Sequence, residues 1–147
     1  FGDDVFGGPV WKDLVPEKHA KEYQESGIIP LMQDIHGKAI KRNFIHVDDL
    51  VKAIIQAILL PDKSNGHTFN ISMDSPVDYG DVSKYLKESR GIESVPVKTE
   101  YHSTWLDNSK AKFLLDWQPN IGLKKLIDLS WDYEREVNDP RKIWYPG

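Results

Sequence analysis

Arg42-Asn-Phe-Ile-His-Val-Asp-Asp49, followed without a break by the apolar run Leu50–Leu60, is the stretch from which the fold is read. Phe44, Ile45 and Val47 are aromatic or β-branched and suit a buried strand. Asp48 or Asp49 can then cap a helix, its carboxylate accepting from the unpaired amides of the first turn. From Leu50 to Leu60 only Lys52 and Gln56 are polar, on one narrow stripe. Such a helix is expected to be covered by other elements on most of its circumference. Arg42, at the mouth of the strand, is the one residue here placed to touch a ligand.

Working outward, Glu17–Ser26 reads as a weakly amphipathic helix stopped by Gly27, where a left-handed residue costs glycine little. Ile28 to Met32 makes a short edge strand around Pro30, because proline cannot donate to a ladder. Asp34–Gly37 is a turn. Beyond the apolar helix, Pro61–Gly66 is expected to be a loop and Thr68–Ser72 a short internal strand. Asp78 caps a helix that buries Val82, Tyr85 and Leu86 and ends at Gly91. Val95–Val97 is extended. A helix from Asp107 turns Ala111, Leu114 and Leu115 inward, and a last one from Leu123 to about Val137 buries Leu126, Ile127, Ser130 and Tyr133. Strands alternating with helices give an α/β arrangement, with residues 1–137 as one domain and 138–147 as an irregular tail.

Composition narrows the function. A chain of 147 residues can bury one real core. Its net charge of −4 is spread along the sequence, leaving no electrostatic footprint for nucleic acid or anionic lipid. It contains no cysteine, which removes disulfide and thiolate chemistry and fits a cytoplasmic location. No run is long enough to span a membrane as a helix. The five histidines share no metal-ligand spacing.

Three stretches, in order, carry a resemblance. Gly37 followed by Arg42–Asp49 resembles a "G…R-D-F/Y-I-H-V-x-D" segment; Gly66-His-Thr-Phe-Asn-Ile-Ser72 resembles "G-x-x-Y/F-N-I/L-G"; Asp107-Asn-Ser-Lys110 with Leu114-Leu-Asp-Trp-Gln-Pro119 resembles "D-x-S-K…L-G-W-x-P". Together they resemble the C-terminal, substrate-binding part of the extended short-chain dehydrogenase/reductase family, the NAD-dependent sugar epimerases and dehydratases. That resemblance implies a Rossmann-like parent enzyme that uses NAD or NADP on a sugar, nucleotide-sugar or related hydroxy or carbonyl compound. The family's Gly-rich dinucleotide loop and its Tyr-x-x-x-Lys pair do not occur here. Cofactor and hydride chemistry are therefore expected in a missing N-terminal Rossmann half, with a small-molecule substrate and a possible homodimer as the other partners. The alternative from another class is a non-enzymatic binding or regulatory module derived from the same family.

The resemblance also implies site residues. Arg42 matches the arginine that grips the substrate's diphosphate, and Leu14 lies in the segment whose backbone amide meets it. Asp13 stands where the family commonly has Asn, and Val97–Trp105 carries no second clamp arginine; Lys98 and His102 are the stand-ins. His102 and Trp105 lie in the loop that contacts substrate in the family. His46 is expected to be a structural histidine inside the strand, and Asp48 and Asp49 cap or turn residues.

Overall fold

The computed structural model describes residues 15–136. Leu14 and the 138–147 tail lie outside that range, as does the question of where the domain ends. Helix α1 (Glu17–Ser26) closes at Gly27, which takes φ +68° as expected for a residue past a helix end. Strand β1 (Ile29–Gln33) follows, and pairs in parallel with β4 (Ser94–Lys98), from Ile29 opposite Ser94 to Gln33 opposite Lys98. In a two-stranded sheet both strands are edges, so Pro30 costs no ladder bond on its open side. At the turn, the Asp34 carboxylate accepts the amides of His36 and Lys38, both at 2.9 Å, and the chain doubles back.

The return arm differs from the expected strand. Regular pairing is confined to β2 (Lys41–Arg42), antiparallel to β3 (Val77–Asp78). Residues 43–46 belong to no strand, and the Met73 amide donates to the Phe44 carbonyl at 2.9 Å. His46 is therefore structural without lying in a strand: its Nδ1 accepts the Asp48 amide at 3.1 Å and caps helix α2 (Val47–Leu59). An imidazole nitrogen has replaced the aspartate expected in that role.

Asp49 has a different task. Its side chain is fully buried, and one oxygen accepts the backbone amides of Asn120 (2.8 Å) and Ile121 (2.9 Å) while the other meets the Lys52 ammonium at 3.2 Å. The Trp117 indole donates to the Asp49 carbonyl at 2.9 Å. Trp117 belongs to a small core with Ala53, Ala111 and Leu115, whereas Ile121 belongs to the main core with Ile40, Val77, Leu86 and Ile127. One carboxylate thus fastens the strap joining the two. Burial alone would raise its pKa, but the Ile121 and Asn120 amides and the Lys52 charge outweigh that and hold it below the ordinary value.

Pro61–Ser64, expected to be loop, forms a single turn α3 with Pro61 opening it and the Ser64 hydroxyl donating to the Ala57 carbonyl at 2.7 Å. Thr68–Ser72, expected to be a strand, forms no ladder among the described residues, although Phe69 and Ile71 pack on the smaller core. Helix α4 (Tyr79–Arg90) is capped by Asp78, which accepts the Gly80 amide at 2.8 Å, and ends at Gly91 with φ +68°. Helix α5 (Ser109–Leu115) turns Ala111 and Leu115 fully inward. In helix α6 (Leu123–Arg135), Leu126 and Ile127 are buried, but Tyr133 is 38% exposed. Leu123, Leu129 and Trp131 pack partly buried against the same core.

The largest departure concerns α2. Only Asp49 and Ala53 are buried in it. Val47, Val51, Ile54, Ile55, Ile58 and Leu59 are between 46% and 71% exposed. The expected cover is not supplied by the described residues.

Candidate functional site

Lys41 and Arg42 are neighbours in β2, so their side chains leave opposite faces of the strand. Lys41 turns to Asp78 and pairs with it at 3.1 Å. Arg42 turns the other way, and its guanidinium carbon lies 5.4 Å from the centroid of the Tyr101 ring, within cation–π range. Among the described residues it has no carboxylate partner. Its charge also reaches the buried Tyr79: burial pushes that phenol's pKa up, and Arg42 partly opposes the rise. The guanidinium therefore lies by the Tyr101 ring, uncommitted to an acid among the described residues.

The loop that supplies Tyr101 is fixed to the arm by side chains standing in for a sheet. Thr99 anchors its start, with both amide and hydroxyl donating to the Gln33 carbonyl at 2.8 and 2.9 Å. The Lys41 amide donates to the Ser103 hydroxyl at 3.0 Å, and the Thr104 amide to the Lys41 carbonyl at 3.1 Å. Asn43 then closes the strap: its amide nitrogen donates to the Thr104 carbonyl at 3.1 Å, and its carbonyl accepts the Leu106 amide at 2.7 Å.

The structure thus brings the segment carrying His102 and Trp105 alongside the segment carrying Arg42. His102 is exposed, and Trp105 is 65% exposed, with no side-chain hydrogen bond or ring contact among the described residues. Lys98, a stand-in for the second clamp arginine, lies against the turn at Gly37, its Cε 3.9 Å from where a Gly37 Cβ would be. Sequence reasoning did not single out Tyr101, Tyr79 or Asn43. Tyr101 lay inside the Val97–Trp105 loop already marked for substrate contact, and Asn43 beside Arg42. Only their cross-chain geometry reveals a role.

Among the described residues no cluster of glycines opens a helix: Gly80 and Gly122 stand singly at the starts of α4 and α6. A pyrophosphate cradle needs glycines that admit close backbone approach at the start of a helix. Gly27, Gly66 and Gly91 have positive φ but open space where a Cβ would stand, and they close helices or turns. Nor do the described residues contain a cluster of acidic and histidine side chains able to hold a metal ion. No described helix is long and apolar enough to cross a membrane.

Comparison with known proteins bears on the fold. Neither a protein-family profile nor a curated protein sequence matches this chain. Solved structures do. A short-chain dehydrogenase/reductase superfamily protein from Agrobacterium tumefaciens with bound NAD superposes with a TM-score of 0.66 at 18% identity, over 80% of this chain and 38% of that one. UDP-glucuronic acid 4-epimerase from Bacillus cereus in complex with NAD gives 0.57 at 25% identity, over 71% and 34%. UDP-glucose 4-epimerase from Thermotoga maritima with UDP-glucose gives 0.60 at 24% identity, over 90% and 41%. The chain spans well under half the length of each. What it shares with them is their mixed α/β architecture, and over the described residues it has the fold of the C-terminal part of a short-chain dehydrogenase/reductase.

Proposed function

We propose that this chain is the substrate-binding portion of an NAD(P)-dependent epimerase- or dehydratase-like enzyme acting on a sugar or a related hydroxy or carbonyl compound. Arg42 orients the substrate, and the loop with His102 and Trp105 walls the site. NAD or NADP is held by a Rossmann half outside these residues, which also supplies the catalytic groups. The observation that carries the reading is Arg42: a half-buried guanidinium within cation–π range of Tyr101, with no acid partner among the described residues. A guanidinium without an acid partner suits bidentate capture of an anionic group.

The uncovered side of α2 favours an enzyme portion over a free-standing regulatory module. Six large apolar residues, each at least 46% exposed, lie on one helix face, the kind of patch that marks an interaction surface. A companion half with an apolar surface of its own would cover them. The test is the full reading frame, recovered from the transcript and expressed. A Gly-rich strand–turn–helix and a Tyr-x-x-x-Lys upstream of Phe1, with substrate-dependent reduction of NAD or NADP, are expected. A complete frame without those motifs sinks the enzyme reading and leaves the binding module.

A further inference from the structure

We infer that His46 is a proton-operated latch on the start of α2: unprotonated it caps the helix, and protonated it drops the cap and turns to Asp48. One ring nitrogen serves both partners. Nδ1 accepts the Asp48 amide at 3.1 Å, and the Asp48 carboxylate lies 3.6 Å from the same atom. An imidazole nitrogen accepts only through a free lone pair, so the capped arrangement requires the tautomer that carries its proton on Nε2. Once protonated, Nδ1–H meets the Asp48 N–H donor to donor, and the carboxylate becomes its acceptor. The two arrangements exclude one another. A Ser, Thr or Asn cap has no such switch, and an Asp cap loses its charge only in acid. Histidine changes state in the range between.

The latch holds more than one bond. The His46 carbonyl accepts the amides of Asp49 and Leu50, both at 3.0 Å, so this residue satisfies three amides of the first turn. The turn carries Asp49, whose carboxylate holds the Asn120 and Ile121 amides. A positive ring at this place is opposed by the helix dipole, and its side chain is only 14% exposed. Asp48 attracts it, but that side chain is 65% exposed and the attraction is screened. The charged groups on neighbouring elements have other contacts. Lys52 of α2 pairs with Asp49, Lys112 of α5 with Asp74, and Lys41 of the arm with Asp78. Lys110 lies over the Phe69 ring and Arg42 by Tyr101, and Asp116, which ends α5, is exposed. Protonation therefore frays the first turn of α2 and slackens the strap that Asp49 fastens.

The test is amide hydrogen exchange on the full 147-residue chain at about pH 7.5 and about pH 5.5, corrected for the intrinsic pH dependence of exchange. In wild type, protection at residues 48–51 and at Asn120 and Ile121 should fall about fivefold or more at the lower pH, while α4 stays protected. Asp49 remains ionised throughout this window, so its own titration does not contribute. His46→Asn, which caps in both conditions, should change less than about twofold. Asp48→Asn, which removes the acceptor for the protonated ring, should move the loss to lower pH. Nitrogen NMR of the wild-type ring supplies a check without any variant: the Nε2–H tautomer at the higher pH, and a ring titration whose midpoint coincides with the loss of protection. No fall in wild type, an equal fall in His46→Asn, or an Nδ1–H tautomer at the higher pH would overturn the inference.

Discussion

Replacing Asp49 by alanine should destabilise the chain by about 3–5 kcal/mol. Its carboxylate is fully buried and accepts two backbone amides, at 2.8 and 2.9 Å. A hydrogen bond to a charged acceptor contributes roughly 1.5–3 kcal/mol net, and truncation also leaves the amides without a partner. Against a total stability of roughly 5–15 kcal/mol, that is a large fraction. It corresponds to a fall of about 10–15 °C in Tm for a chain of this size. Asp49→Asn keeps one neutral acceptor and should lose roughly half as much. Urea unfolding followed by circular dichroism and tryptophan emission gives the number. The emission should shift at low denaturant, because the Trp117 indole is held by the Asp49 carbonyl. The pH dependence carries its own sign. The folded carboxyl titrates below its ordinary value despite burial, through the Ile121 and Asn120 amides and Lys52. Its contribution is therefore present above the unfolded-state pKa of about 4 and is lost as pH falls through the lower folded value. Asp49→Asn should flatten that acid limb. An alanine variant within about 1 kcal/mol of wild type would refute the view that one carboxylate joins the two cores.

Three further outcomes follow from the geometry. Asn43→Ala removes both side-chain bonds to the 101–106 loop and should cost about 1–2 kcal/mol; hydrogen exchange at Thr104 and Leu106 should accelerate while α4 stays protected. Gly91→Ala should cost about 1 kcal/mol in urea unfolding, because φ is +68° and the space for a methyl group is open, so the penalty is in the backbone alone. Changing Ile54 and Ile58 together to glutamate should leave Tm within a few degrees while reducing binding of a hydrophobic dye and self-association in sedimentation, since both side chains are at least half exposed.

Much of the fold was legible because local rules act locally. Gly27 and Gly91 ended helices, and Asp78 capped α4, where a left-handed residue and an Asx side chain are each read from a single position. The misreadings share a different cause. The pattern Phe-Ile-His-Val satisfies a strand, yet whether it pairs depends on a neighbour, and the described residues give it only the Met73 amide. Thr68–Ser72 fails to become a strand for the same reason. The α2 helix was expected to be covered because its residues are apolar; composition reports the wish for burial, not the presence of a partner. Asp49 reads as a cap or turn residue because it stands at a helix start, whereas its amide partners lie 71 and 72 positions away.

The candidate site divides along the same line. Arg42, His102 and Trp105 could be named from motifs, but the Tyr101 cation–π contact and the Asn43 strap depend on a contact between segments about sixty residues apart. That contact turns an arginine with many acidic residues available in the sequence into one without an acid partner among the described residues.

The proposed role of Arg42 is to grip the substrate. The most direct measurement is a thermal-shift titration of wild type and Arg42→Ala against sugars, sugar acids, hydroxy acids and nucleotide sugars, with folding of the variant verified by circular dichroism. At least one compound should raise the wild-type Tm in a saturable manner and leave Arg42→Ala unmoved. Equal shifts in both proteins, or none in either, would contradict it.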